Sequence, residues 1–181
     1  MKIPYFVPNI TLQDKKFVLK SLNQRWLTNG PMLKKFEKIF SDVVNTRFAV
    51  GVNNATNALH LCLRALKISK NDEVILPTFT FAATASAVNF CGGNPILVDV
   101  DSETFNILPN EIEKNVTEKT KAIIVVHYGG QSCDMKEILR ISKKYGLPII
   151  EDCAHALGSV FKNKFCGSLG TAGCFSFYPT K

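Results

Sequence analysis

Residues Gly173–Lys181 read GCFSFYPTK, and an earlier stretch, Ile149–His155, reads IIEDCAH. In the first stretch Phe175 and Phe177 alternate with small residues, as in a buried strand, and a proline ends regular pairing just before Lys181. A lysine at the end of an apolar strand is expected to lose its water, which favours the neutral, nucleophilic amine. A lysine in this position is more often a solvated chain end, so the surrounding sequence decides between the two interpretations.

The segments before this stretch alternate between strand and helix patterns. Ala122–His127, AIIVVH, is a continuous apolar run of the kind found in strands that are buried on both faces of a parallel sheet. The intervening segments are long enough for crossovers that keep neighbouring strands parallel. We therefore predict an α/β fold with three α/β/α layers around a mainly parallel sheet. The predicted strands are Phe48–Val52, Asp72–Pro77, Pro95–Val100, Ala122–His127 and Pro148–Asp152, with an exposed hairpin at Val160–Cys166.

A small polar turn, Asn53–Asn57, stands between the first predicted strand and a predicted helix. The backbone N–H groups of a helix N-terminus and the helix dipole both favour an anion, and Thr56 adds a hydroxyl. This arrangement is typical of a phosphate site. The alternative is that Asn54 or Thr56 only caps the helix.

Six residues able to carry chemistry fall at or just beyond the ends of predicted strands. Ligands of such sheets bind outside the carboxyl ends of the strands, so these residues are expected to meet at one site. An amine that forms a Schiff base and an acid that keeps a pyridinium nitrogen charged are what a pyridoxal phosphate (PLP) site requires. The sequence lacks the GxGxxG, GxxxxGK(S/T) and GxSxG signatures of other α/β enzymes. The six residues are Thr56, Phe81, His127, Asp152, His155 and Lys181.

The composition argues against a membrane or secreted protein. The 181 residues are 46% hydrophobic and 20% charged, which is typical of a globular domain with a sizeable core. No apolar run approaches the roughly 20 residues of a membrane span, and prolines interrupt the N-terminus where a signal peptide needs its apolar centre. We therefore expect a cytoplasmic protein without a membrane partner.

The charge and the cysteines limit the choice of ligands. The net charge of +7 is expected to lie on solvated helix faces, and aromatic residues are not regularly interleaved with the basic pairs. Nucleic acid is therefore not an expected partner, whereas an anionic small substrate is compatible with the charge. The six cysteines have no CxxC spacing and are expected to be reduced core thiols. A zinc site from Cys153, His155 and Cys166 has no recognised spacing, so no metal is expected.

Several blocks of sequence between Leu27 and Lys181 occur together in one order. With these blocks, the sequence resembles the DegT/DnrJ/EryC1/StrS family of PLP-dependent sugar aminotransferases, which have the aspartate aminotransferase (type I) fold. The resemblance implies the large PLP-binding domain of that fold. The blocks are LTNGP (27–31), FEKIF (36–40), AVGVNNATNALHLCLRAL (49–66), DEVILPTFTFAATASAV (72–88), PILVDVDSETFNI (95–107), TKAIIVVHYGGQSCDM (120–135), IIEDCAHALGS (149–159) and GSLGTAGCFSFYPTK (167–181).

The resemblance assigns four residues to the ring of the cofactor. Lys181 matches the catalytic lysine that forms the Schiff base, and Asp152 matches the carboxylate that pairs with the pyridine nitrogen. His155 matches a position, Gln or His in the family, that approaches the phenolic oxygen. Phe81 matches the aromatic residue that stacks on one face of the ring. Retention of Lys181 argues for a transaminase, because the dehydratases of the family have His in its place.

The resemblance assigns four further residues to the phosphate and the substrate. Ala55 and Thr56 match the turn that binds the phosphate through backbone amides and a hydroxyl, and Ser176 matches a second phosphate hydroxyl. Many members have Gly where this sequence has Ala55. Thr28 resembles a substrate-side position.

Family chains are much longer than this one, and the resemblance therefore implies an N-terminal portion of the enzyme. We expect an N-terminal arm, helix and loop in residues 1–31 and a partial PLP-binding domain in residues 32–181, with the C-terminal domain absent. A further family strand lies between the first predicted strand and the strand before Lys181, so a gap in the sheet is expected. The complete enzyme is expected to be a homodimer.

The implied reaction converts a nucleotide-linked keto-deoxysugar to an amino sugar, with glutamate as donor, for cell-surface polysaccharide or related glycan biosynthesis. Three alternatives stay open at the level of sequence. Another type I PLP enzyme, such as a lyase, desulfurase or dehydratase, shares the lysine and the aspartate. A truncated, non-catalytic fragment binds no cofactor, and a nucleic-acid-binding module rests on the positive charge alone.

Overall fold

A computed structural model of the chain describes residues 3–4 and 6–181. The chain forms two compact units, one of Met1–Gly51 with Tyr178–Lys181 and one of Val52–Phe177. Residues 1, 2 and 5 of the predicted N-terminal arm lie outside the described residues. The predicted division into residues 1–31 and 32–181 separates the chain by role, and it stays a prediction.

The first unit contains helices α1 (Leu12–Leu22) and α2 (Pro31–Val43). A capping box starts α1, because Asp14 N–H donates to Thr11 Oγ1 while Thr11 N–H donates to the Asp14 carboxylate. Proline at the first position of α2 suits a helix start, since its missing N–H has no partner there in any case.

A five-stranded parallel sheet forms the centre of the second unit. Its strands stand in the order β2-β1-β3-β4-β7, and every neighbouring pair is parallel. This confirms the predicted α/β fold. The elements are α3 (Ala55–Ala65), β1 (Glu73–Pro77), α4 (Ala82–Phe90), β2 (Asn94–Val98), α5 (Pro109–Lys114), β3 (Thr120–Val126), a 3-10 turn (Tyr128–Gly130), α6 (Met135–Tyr145), β4 (Ile149–Cys153), β5 (Val160–Phe161), β6 (Lys164–Phe165) and β7 (Ala172–Phe175).

Alternation along the strands builds the three layers. Ala122 and Ile124 of β3 belong to a core cluster with residues of α3 and α4, whereas Ile123 and Val125 belong to a second cluster with residues of α5 and α6. Successive strand residues point to opposite faces, so each strand contributes to both clusters. On β4 the same alternation places Asp152 on the α3 and α4 face, with Ile150, and Glu151 on the other face.

The strand order reverses between β1 and β3, since β1 and β2 run to one side and β3, β4 and β7 to the other. Such a reversal opens a crevice at the carboxyl edge of the sheet, which is where ligands of doubly wound sheets bind. Within the second unit, Phe81 follows β1, His155 follows β4 and Ser176 follows β7, so these predicted site residues lie at this edge.

One prediction about the strands is wrong. Phe48–Val52 is not a strand, and Phe48 and Val50 are 72% and 77% exposed. A strand needs a hydrogen-bonded neighbour, and no ladder to this segment forms within residues 3–4 and 6–181. The expected gap adjoins β7, and in the described part of the chain no strand pairs with the side of β7 that faces away from β4.

The environment of the final strand also differs from the prediction. β7 stands at the edge of the sheet and its pairing with β4 ends at Phe175. Phe177 is therefore 56% exposed, and Lys181 is exposed rather than desolvated at the end of a buried strand. Alternation alone could not show this, since an edge strand produces the same pattern of residues as a buried one.

The predicted hairpin is confirmed as the antiparallel pair of β5 and β6. Lys162 and Asn163 connect the strands with φ values of 47° and 64°, as in a type I′ turn. None of the helices that the described residues form has the length and apolar composition needed to cross a membrane.

Candidate active site

The structure brings six of the eight predicted site residues into the second unit, and the other two lie in the first. Thr28 is exposed in the turn before α2, and Lys181 is exposed, with its backbone N–H bonded to the Tyr178 carbonyl. The six residues of the second unit are Ala55, Thr56, Phe81, Asp152, His155 and Ser176.

Asp152 is a buried carboxylate near the carboxyl end of β4, with only 5% of its surface exposed. Thr84 Oγ1 donates to its Oδ2 over 3.0 Å, and the backbone N–H of Ala154 donates to its Oδ1 over 3.1 Å. Burial of an ionised carboxylate is costly unless donors meet its oxygens, and here each oxygen has one. The side chain is therefore held in one orientation at the carboxyl edge.

His155 lies on the loop after β4 and is exposed. The backbone N–H of Gly129 points to its Nδ1 at 3.4 Å, and its ring meets Tyr128 edge-on with centroids 5.7 Å apart. An Nδ1 that accepts an N–H carries no proton, so the neutral ring holds its proton on Nε2 and donates from there. His155 can thus give a hydrogen bond to an oxygen of a ligand.

Phe81 presents an aromatic ring at the same edge. It occupies the N-cap position of α4 without a side-chain capping hydrogen bond, and 78% of its surface is exposed. A large apolar side chain with that exposure next to buried polar groups marks a place where a ligand could cover it. The position suits a ring that stacks on a flat aromatic ligand.

The N-terminus of α3 is the candidate anion site. Asn54, and not Thr56, is the cap residue, because its side-chain oxygen accepts the N–H of Asn57 at 2.8 Å. The helix gives no acceptor to the N–H groups of Ala55 and Thr56, which belong to its first turn. These N–H groups and the Thr56 hydroxyl suit a phosphate, and that role stays a prediction, whereas the alternative of a helix cap is confirmed for Asn54.

Ser176 lies at the same end of the unit as this turn. Cys62 of α3 and Cys174 of β7 contact each other, with their sulfur atoms 3.7 Å apart. From this contact α3 runs back toward its N-terminus while β7 runs forward to Ser176, so the two approach the same edge. The pair also agrees with the prediction of reduced thiols, since all six cysteines are free and five of them are buried.

His127 was predicted to join the other residues at the carboxyl edge of the sheet, but it forms a buried pair with Glu151 on the opposite face of β4, a pairing that the sequence did not predict. Glu151 and His127 are fully buried, and His127 Nε2 lies 3.0 Å from Glu151 Oε2. His127 Nδ1 accepts the backbone N–H of Cys133 at 3.1 Å, so its proton is on Nε2 and is donated to Glu151. The sequence did contain a sign of this pair, since Glu151 stands inside an apolar strand and a buried acid almost always has a partner.

The Glu151 carboxylate also organises the loop that leads into β7. Its Oε2 accepts the N–H of Gly167 at 2.7 Å, and its Oε1 accepts those of Leu169 and Gly170 at 2.8 and 2.6 Å. Burial alone raises the pKa of the Glu151 carboxyl, but the hydrogen bonds from His127, Gly170 and Gly167 outweigh it and lower the pKa overall. Glu151 is therefore an ionised internal anchor.

The described residues contain one cluster with metal-ligand geometry, formed by His127, Glu151 and Cys153, whose ligand atoms lie within 4.8 Å of one another. The lone pairs of His127 and Glu151 already accept protein N–H groups, and burial raises the pKa of the Cys153 thiol to about 12. A metal bound by these three residues would need a deprotonated Cys153 thiol and unoccupied lone pairs on His127 and Glu151. Among residues 3–4 and 6–181, Cys153, His155 and Cys166 do not form a cluster with metal-ligand geometry.

Comparison with known proteins shows the family. The model of the DegT/DnrJ/EryC1/StrS aminotransferase family matches residues 8–181. The chain belongs to this family. The fold described above agrees with that of solved relatives, which include a sugar aminotransferase in PLP and PMP forms.

Among curated relatives of this aminotransferase family, the chain is 43% identical over 179 residues to the spore coat polysaccharide biosynthesis protein SpsC of Bacillus subtilis. It is 42% identical over 180 residues to GDP-perosamine synthase of Escherichia coli O157:H7. Both alignments cover 99% of this chain but only 46% and 50% of the relatives. The chain therefore spans about half the length of the curated relatives it matches.

A solved structure of Spr1654 from Streptococcus pneumoniae in its PLP form superposes with a TM-score of 0.96 at 35% identity. The superposition covers 100% of this chain and 50% of the Spr1654 chain. The PMP form of the same protein gives the same score and identity. The second unit is thus built like the corresponding part of an aminotransferase that has been observed with both forms of the cofactor.

Proposed function

We propose that the protein containing this chain is a PLP-dependent aminotransferase that converts a nucleotide-linked keto-deoxysugar to an amino sugar, with glutamate as amino donor. The observation that carries the proposal is the buried Asp152 carboxylate at the carboxyl edge of the sheet, in a chain whose family match extends to Lys181. An oriented, buried acid at this edge is what a ring nitrogen that stays protonated requires.

The residues of the second unit fit the parts of PLP. The first-turn N–H groups of Ala55 and Thr56, with the hydroxyls of Thr56 and Ser176, suit the phosphate. Phe81 offers a ring face, and His155 offers an N–H to the phenolic oxygen. The phosphate, the ring face and the phenolic oxygen of the cofactor thus each have a suitable partner among these residues.

When bound, PLP supplies an electron sink for the carbon that gains or loses its amino group. In the proposed mechanism Asp152 holds a proton on the ring nitrogen, and the phosphate turn anchors the other end of the molecule. Lys181 would hold the cofactor through its Nζ, and the same amine would serve as the general base and acid that moves a proton from one carbon to another. His155 orients the phenolic oxygen, and Thr28 is assigned to the substrate side.

The names of the relatives support the choice of substrate. The name of GDP-perosamine synthase refers to a GDP-linked sugar, and SpsC is named for spore coat polysaccharide biosynthesis. The net charge of +7 favours an anionic substrate such as a nucleotide sugar. We accordingly assign the enzyme to the cytoplasm, as a homodimer that supplies amino sugars for cell-surface polysaccharide.

The half-reaction with glutamate tests the proposed function. The full-length protein loaded with PLP is mixed with glutamate alone, and we expect the visible band of the cofactor to disappear stably while one 2-oxoglutarate forms per site. The absorbance spectrum and a keto-acid assay measure the two changes. A band that recovers with release of another product indicates a lyase or desulfurase, and a protein that shows no band with PLP contradicts the proposal.

The phosphate turn gives a further prediction. Changing Thr56 to Val should raise the Kd for PLP about 10-fold, because a hydroxyl hydrogen bond to a charged phosphate is lost while the shape is kept. Fluorescence titration of the apo-protein measures the change. Thr117→Val is the matched control, since the Thr117 hydroxyl bonds Glu73 at the amino edge of the sheet. Equal Kd values for the two variants would count against the assignment.

A further inference from the structure

Two threonine hydroxyls stand behind the Asp152 carboxylate. Thr84 Oγ1 donates to Asp152 Oδ2 over 3.0 Å, and the Oγ1 atoms of Thr80 and Thr84 lie 2.8 Å apart. Thr84 is fully buried in the first turn of α4, and Thr80 is half-buried just before this helix begins. Burying the hydroxyl of a threonine costs free energy unless the hydroxyl is hydrogen-bonded, and packing alone would be served equally well by an apolar side chain.

The direction of these hydrogen bonds is fixed by chemistry. An ionised carboxylate only accepts, so the single hydroxyl proton of Thr84 is donated to Asp152. Thr84 Oγ1 then accepts from Thr80, which donates its own proton. The two hydroxyls form a chain with one direction, and this chain ends on Asp152 Oδ2. The other oxygen, Oδ1, is held by the backbone N–H of Ala154.

The residues that flank Asp152 on the neighbouring strands are uncharged. The flanking strands place Val126 on one side and Cys174 on the other. A hydrogen bond with Cys62, together with burial, raises the pKa of the Cys174 thiol, which is therefore neutral. Glu151 belongs to the opposite face of the sheet, where its carboxylate bonds His127, Gly167, Leu169 and Gly170.

We propose that Thr84, supported by Thr80, is a positioning residue that keeps the Asp152 carboxylate ionised and directed at the ring nitrogen of PLP. This inference rests on the proposed function. It adds two residues, outside the predicted set, that act on the cofactor through Asp152. Without the Thr84 hydroxyl, Asp152 Oδ2 loses a donor, so the carboxylate rotates more freely and holds the ring nitrogen protonated less well.

The test compares two substitutions at one position in the full-length protein. Thr84→Val keeps the shape and removes the hydroxyl, and we expect a Kd for PLP at least about 10-fold higher. We also expect the pH midpoint of the visible cofactor band to move and kcat to fall while KM for the amino donor is unchanged. Thr84→Ser keeps the hydroxyl and should restore all three quantities. Thr80→Val should give a smaller change in the same direction.

Thr120→Val is the control for a purely structural effect. Thr120 is buried at the amino end of β3, where its hydroxyl oxygen accepts the N–H of Thr117, so its loss should lower Tm without moving the pH midpoint. Should Thr84→Val fail to fold, Thr80→Val decides by the same two readouts.

The two levels of the proposal fail in different ways. A wild-type protein without a PLP band refutes the proposed function and this inference together. A wild-type protein with the band, beside Thr84→Val and Thr80→Val variants that match it in Kd and pH midpoint, refutes the positioning role alone.

Discussion

Replacing Glu151 by Gln should lower the free energy of unfolding by roughly 2–6 kcal/mol, because two buried N–H donors lose their acceptor and each such loss costs about 1–3 kcal/mol. Both carboxylate oxygens of Glu151 accept two N–H groups each, from His127 and Gly167 on one side and from Leu169 and Gly170 on the other. A glutamine amide has one oxygen and one NH₂ group. Either orientation therefore places the NH₂ group against two N–H donors, and denaturant unfolding measures the loss.

Glu113→Gln is the matched control for the same chemical change at the surface. Hydrogen bonds from Arg140 and Lys144 lower the pKa of Glu113 to about 2, but this network is exposed to solvent and screened by salt. Its loss should have a much smaller effect. Equal unfolding midpoints for wild type and Glu151→Gln contradict the account, whereas a Glu151→Gln protein that does not fold beside a folded Glu113→Gln agrees with it.

The stability difference between wild type and Glu151→Gln should depend on pH in one direction. The pKa of Glu151 is lowered in the folded state from its ordinary value of 4.5. A lowered carboxyl pKa adds stability that is fully present above the unfolded value and is lost as the pH falls through the folded value. The difference should accordingly be constant near neutrality and shrink below about pH 4.5.

Changing Lys181 to Ala should reduce kcat of the full-length enzyme by about 10³-fold or more. The proposed mechanism gives this amine both the covalent link to the cofactor and the proton transfer, and general acid–base catalysis alone contributes about 10²–10⁴-fold. Steady-state kinetics with glutamate and a keto sugar measure the loss. PLP should still bind, because Asp152 and the phosphate turn remain in place.

Two comparisons make the lysine prediction specific. Lys181→Arg keeps a positive charge but offers no nucleophilic amine, so its activity should be as low as that of Lys181→Ala. Lys164→Ala removes an exposed lysine from the β5–β6 hairpin and should leave kcat unchanged. Activity of Lys181→Arg near the wild-type value would show that charge, and not the nucleophile, is what the position supplies.

The sequence predicted the layers of the fold because the signals for them are local. Continuous apolar runs marked the buried parallel strands, and the structure confirms them at β1, β3 and β4. Phe48–Val52 shows the limit of such signals. Its composition suits a strand, but strand formation depends on a neighbour, and a single segment of sequence does not reveal whether a neighbour is present.

The predicted site residues came from strand ends and from the family resemblance, and their roles stay proposals. The groups that support them were missed because their contacts are long-range. Thr84 and Asp152 are 68 residues apart, and His127 and Glu151 are 24 residues apart. Thr84 has no local pattern that separates it from other small residues of α4, so only the packing of α4 against β4 reveals its role.

The most direct test of the central claim is reduction of the PLP-loaded, full-length protein with borohydride, followed by proteolysis and peptide mapping. Reduction makes the bond between the cofactor and its lysine permanent. The account predicts that the modified peptide contains Lys181 and that no other lysine is labelled. A label on a different lysine, or no label on a protein that has the visible band, would contradict it.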